Sequence, residues 1–133
     1  MGFRYRDGPA MPETFEKARY LNLLTYRKSG AEIPTPVWFA PHRGFFYAFS
    51  AGEAGKVKRL RNSPRARIAP CDWRGTLRGE WQEAQAFLVD DPAERKAAFR
   101  ALRCKYGWQM WTVDAGALIA GTLRSRAVIR IEP

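Results

Sequence analysis

The spacing of apolar and polar positions changes along the chain, and each change marks an element. PETFEKARY, residues 12–20, opens on Pro and carries its acidic side chains early and its basic ones late, as a short helix favours at its two ends. YLNLLTYRKSG and IPTPVWFAP then read as strands joined through the turn dipeptide Ser29-Gly30, and GFFYAFSA follows the polar turn PHRG as a third. Pro34 and Pro36 cannot donate to a sheet ladder, so the second of these strands is expected to be irregular or to lie at an edge. EAGKVKRLRNSP reads as a compact helix with Val57 and Leu60 on one side, closed by Asn62 and Pro64.

RARIAPCDW, EWQEAQAFLV and ALIAGTLRSRAVIRIE supply three more strands. The last alternates, with Leu123, Ser125, Ala127, Ile129 and Ile131 on one face and Arg124, Arg126 and Arg130 on the other. Before it, Asp91 as N-cap, Pro92 at the first helical position and Glu94 three residues past the cap open a helix that ends at Gly107, with Phe99, Leu102 and Tyr106 as its apolar stripe. The expected fold is mainly β with α: six short antiparallel strands closed or nearly closed into a barrel, with helices filling the gaps. Residues 1–14 read as a flexible N-terminal arm and 15–133 as one domain, as 133 residues fit.

Charge narrows the partners. The formal net charge is +10, and between Arg43 and Arg78 nine basic residues face only Glu53 and Asp72. An anionic partner meeting this segment is expected. The loop SAGEAG ends a strand and opens the helix that bears Lys56, Lys58, Arg59 and Arg61, an arrangement of free N–H groups and cations that suits a phosphate. A solvated basic helix face and a nucleic-acid surface fit the same charge. The second is the less expected, for want of a helix-turn-helix, zinc-finger or RNP signature. Apolar runs such as GALIAG fall far short of the roughly 20 residues a membrane helix needs, and no signal peptide opens the chain, so a cytoplasmic protein is expected.

Chemistry carried by side chains alone is poorly provided for. The single histidine, His42, lies in the turn APHRG; Glu80 and Glu83 share no strand face; no cluster has metal-ligand spacing, so no metal is expected. Cys71 and Cys104 are expected to be reduced, half-buried and structural. Any reaction here would rest on a bound cofactor.

YLNLLTYRKSGAEIPTPVWFA, GKVKRLRNSPRARIAPC, EAQAFLV and KYGW, in this order, resemble the split β-barrel flavin and deazaflavin proteins. Within these the chain is most similar to the pyridoxamine-phosphate-oxidase-like class that depends on the deazaflavin coenzyme F420. The resemblance covers about residues 15–132. It implies an FMN-binding-like split barrel and an oxidoreductase in which reduced F420 passes a hydride to a small unsaturated or quinone-like substrate. Thr35, Pro36, Val37 and Trp38 would lie along the tricyclic ring, Ser50 and Ala51 beside the ribityl chain and phosphate, and Lys56, Lys58 and Arg61 on the phosphate. Pro70 and Cys71 would neighbour the ring, and Trp108 would reach the site of a second subunit in a homodimer with its cofactor sites at the interface. An FMN-binding flavoprotein of the pyridoxamine phosphate oxidase type is the first alternative, and a non-catalytic nucleic-acid-binding barrel the second.

Overall fold

The structure is a computed structural model, in which residues 13–52, 54–122 and 125–133 are described; most of the expected arm, together with Glu53, Leu123 and Arg124, lies outside them. Helix α1, Glu13–Lys17, leads into β1, Tyr20–Tyr26, and β2, Glu32–Val37, with the turn at Gly30 in the left-handed region at φ 91°. Strands β3, Phe39–His42, and β4, Phe45–Ala51, precede helix α2, Gly55–Asn62. Strands β5, Arg65–Cys71, and β6, Gln82–Val89, are followed by helices α3, Pro92–Tyr106, and α4, Trp108–Ala120, and the last strand is β7, Arg126–Glu132.

All pairings are antiparallel, and the seven strands form one sheet in the order β2-β1-β5-β6-β7-β4-β3. The two edge strands are consecutive in the chain. The run read as one strand from residue 33 to 41 leaves β1 at Val37, passes through Trp38, and joins β4 at Phe39, which closes the sheet covalently into a split barrel. Hence seven strands rather than six. Pro34 and Pro36 sit in the edge strand β2, where a missing donor is tolerated.

The expected final strand begins nine residues late. Ala117 to Ala120 continue α4, because Ala and Leu favour helix and the segment has one β-branched residue, Ile119, with Gly121 at φ 74° ending the helix in the left-handed region. On β7, Arg126 is buried and Arg130 is half-buried, its guanidinium donating to Glu94 of α3. Cys71 is buried and Cys104 exposed, both as free thiols, so the half-buried expectation fails for each.

Inside the barrel, alternate residues of four strands meet: Leu21 and Leu23, Ala66 and Ile68, Ala84 and Ala86, Ile129 and Ile131. Phe15 of α1 packs on Phe39 and Phe46, with ring centroids 6.2 and 5.2 Å away, and Leu60 of α2 joins the same core. A second core lies outside the barrel, where Phe99, Leu102 and Tyr106 of α3 and Met110 of α4 cover Ala40, Tyr47 and Val128. The N-cap of α3 is as expected: the Asp91 carboxylate accepts from the Glu94 N–H at 2.8 Å, with Pro92 first in the helix.

Candidate functional site

The split itself makes the first part of the site. Phe39 pairs with Ala48, and the same frame would set Val37 opposite Ser50, but Val37 pairs with Leu21 of β1 instead. From Trp38 backwards, β2 therefore pairs with β1 and not with β4, so no ladder joins Thr35–Val37 to Ser50 and Ala51, and a split runs between the two strands. Alternation puts Pro36 on the outer face and sends Val37, 5% exposed, into the barrel core. A ligand in the gap would meet the Val37 backbone rather than its side chain. Trp38 stacks on Tyr106 at 4.5 Å and 11°. Tyr106 is fixed in turn: its hydroxyl donates to the Arg19 carbonyl at 2.6 Å and accepts from the Phe39 N–H at 3.0 Å.

The second part lies where β4 runs out. A cavity of about 360 Å³ is bounded by Gly52, by Val57 and Arg61 of α2, by Arg95 of α3, and by Ser125 and Arg126 at the start of β7, with Asp90 at its edge. Three arginines from three elements thus border one space with one carboxylate, Asp90. The Arg95 Nη2 donates to the Arg126 carbonyl at 2.7 Å, and Arg126 donates to Asp114 at 2.8 Å while lying 4.2 Å over the Phe99 ring. A Cβ at Gly52 would overlap the Ser125 carbonyl oxygen, so only glycine lets these two backbones approach. Arg61 and Arg95 beside this close backbone suit a phosphate by charge.

Helix α2 divides its cations between several tasks. Arg61 borders the cavity; Lys58 is exposed; Lys56 is half-buried, and burial, with Arg59 nearby, lowers its pKa. Arg59 is anchored to the barrel end, its Nε donating to the Thr25 hydroxyl at 2.5 Å. The topology thus sets Thr35–Val37 and Ser50–Ala51 on the two sides of the split between β2 and β4, and Arg61 borders the cavity at Gly52, just past the end of β4. Pro70 and Cys71 lie across β1 from Val37, two strands from the gap, and Cys71 borders a different cavity. Trp108 opens α4 and is 75% exposed.

Arg95, Ser125 and Arg126 escaped the sequence reading. They stand 30 residues and more from α2, and only the packing of α3 across β7 joins them to it. The alternating arginines of β7 were the one available signal, and the burial of Arg126 under α3 gives that pattern its meaning. Among the described residues, no group of three or more His, Cys, Asp or Glu could hold a metal ion. His42 borders a cavity with Tyr47 and Glu94, and burial, then Arg43 and Arg100, lowers its pKa. No helix among the described residues is long and apolar enough to cross a membrane.

No family model matches the chain, and no curated protein matches it. Solved structures do. HutZ, the heme storage protein of Vibrio cholerae, superposes with a TM-score of 0.67 at 15% identity, over 91% of this chain and 85% of that one. A candidate pyridoxamine 5'-phosphate oxidase from Listeria innocua does so with a TM-score of 0.62 at 13% identity, over 90% and 86%. A NimC/NimA family protein from Clostridium acetobutylicum gives 0.58 at 17% identity, over 89% and 74%. The chain shares the mainly β, antiparallel split-barrel fold of these proteins.

Proposed function

We propose that this protein binds a phosphate-bearing tricyclic redox cofactor of the flavin class and acts as an oxidoreductase on a small substrate. The observation that carries the reading is the cavity that Arg61 and Arg95 border together with the close-packed Gly52 and Ser125 backbones, just past the end of β4. Arg61 and Arg95 neutralise the phosphate, and Gly52 lets backbone come near it. Ser50 and Ala51 line the path of the connecting chain. Thr35–Val37 offer backbone along the ring edge, and the Trp38–Tyr106 stack holds that wall still. When bound, the ring supplies the hydride or electron transfer, so the chain needs no nucleophile of its own.

FMN is the reading that the fold relatives favour, since a candidate pyridoxamine 5'-phosphate oxidase is among them. The F420 reading has its own support: Lys58 and Arg65 are exposed cations outside the phosphate cavity, suited to the acidic tail of a longer coenzyme. Titration of the purified protein with FMN and, separately, with oxidised F420, followed by fluorescence, tests both. Saturable binding of either one supports the proposal and selects the cofactor, and saturation by neither removes it.

A homodimer belongs to the same proposal. Helix α4 exposes Trp108, Trp111, Leu118 and Ile119 along one stripe, at 75, 70, 67 and 88%. Those side chains present roughly 600 Å² of apolar surface, close to the roughly 800 Å² per partner of a standard interface. The only charge on α4, Asp114, is paired internally with Arg103 and Arg126. A molecule of net charge +10 can therefore meet its own copy there without like charges in contact. An interfacial membrane helix would carry Lys or Arg, and α4 has none.

A further inference from the structure

A second cavity, of about 460 Å³, opens between the end of α1, the start of β1 and the loop after β5. It is separate from the phosphate cradle: no residue borders both cavities. Its floor is built from Tyr20 and the buried Cys71, and Lys17, Arg19 and Arg78 stand around it against one carboxylate, Asp72.

The loop that closes the cavity is held rigidly although it faces water. The Asp72 carboxylate accepts from the Arg74 and Thr76 N–H groups at 2.8 and 3.0 Å, the Asp72 N–H donates to the Thr76 carbonyl, and the Gly75 N–H donates to the Asp72 carbonyl. Asn22 of β1 pins the loop from beneath, its Nδ2 donating to the Gly75 carbonyl at 3.0 Å. Arg78 is tied by its own N–H to the Pro70 carbonyl at 2.8 Å. This frame displays Trp73 65% exposed, with the Arg74 guanidinium 4.8 Å over its ring. A large indole held in water by a hydrogen-bonded loop at the mouth of an apolar cavity is a preorganised stacking surface.

We infer that this cavity is a binding site for a planar aromatic anion, the ring lying against Trp73 and Tyr20 and the carboxylate meeting Lys17 and Arg78. Both loop hydrogen bonds to the Asp72 carboxylate fall on Oδ1, and the three cations of the lining outnumber this one carboxylate. Cys71 serves as floor and not as a nucleophile: burial, then Asp72, pushes its thiol pKa up to about 11, so it stays protonated at neutral pH.

The test is calorimetric titration of the full chain with 2-naphthoate and with its uncharged analogue 2-naphthamide, repeated on Trp73→Ala and Arg78→Gln. Both substituted side chains are exposed, so the fold should survive either change. The expected result is saturable 1:1 binding of the naphthoate, at least tenfold weaker for the amide and for each variant, with FMN binding unchanged in both variants. Absence of saturable binding, equal affinity for the amide, indifference to both substitutions, or displacement of the naphthoate by FMN would each overturn the site. None of those results bears on the phosphate cradle, which the FMN titration reads separately.

Discussion

Lys105 shows how one residue's position sets a measurable property of the whole chain. Its ammonium donates to the Phe39 carbonyl at 2.8 Å and sits 3.4 Å over the Phe39 ring, yet burial, with Arg19 nearby, lowers its pKa from 10.5 to about 7. Between those two pH values the unfolded chain keeps a proton that the folded chain has released. Stability therefore rises as pH increases from about 7 towards 10.5, and below about 7 the cost of burying the charge is fully present. Lys105→Met removes this contribution. Urea unfolding of both proteins across that range should show the wild type gaining on the variant as pH rises; parallel curves would contradict the assignment. Tyr106, next in the chain, binds the same neighbourhood together through Trp38, Arg19 and Phe39. Its apolar-stripe position was legible from the spacing with Phe99 and Leu102, but its hydroxyl's partners lie over 60 residues away and left no local trace.

Among the elements, α2 and α3 were readable because local signals agreed. Val57 and Leu60 are buried as their spacing required, and Asp91, Pro92 and Gly107 bound α3 as caps should. Helix α4 was not, since a run of Ala, Leu and Ile satisfies a strand or a helix equally in isolation. Only contact across the fold decides it. Met110 is the buried residue of α4, and the Asp114 carboxylate accepts from Arg103 of α3 and Arg126 of β7, each at 2.8 Å. So few attachments make α4 dependent on Asp114. Asp114→Ala should lower amide hydrogen-exchange protection across α4 about tenfold or more, as a loss of about 1.5–3 kcal/mol of charge-assisted hydrogen bonding implies, and leave β1 and β5 protected. Unchanged exchange in α4 would mean that its apolar contacts suffice.

At the scale of the molecule, closure through Trp38 creates both the barrel and the gap. Proline at alternate positions announced an edge strand, and the register that carries the chain from one sheet edge to the other emerges only when all seven strands pair. The exposed α4 stripe belongs to this scale as well. Light scattering behind size exclusion should give a dimer for the wild type and a monomer for Trp111→Glu, whose carboxylate would be buried unpaired in the interface; a wild-type monomer at micromolar concentration would refute the pairing. The central claim is that the phosphate of a tricyclic cofactor is held between α2, α3 and β7, and the most direct measurement compares FMN with riboflavin, which differs by that phosphate alone. FMN should bind at least tenfold more tightly, and Arg61→Ala should erase most of the difference while leaving riboflavin affinity unchanged. Equal affinities for the two, in the wild type, would contradict the account.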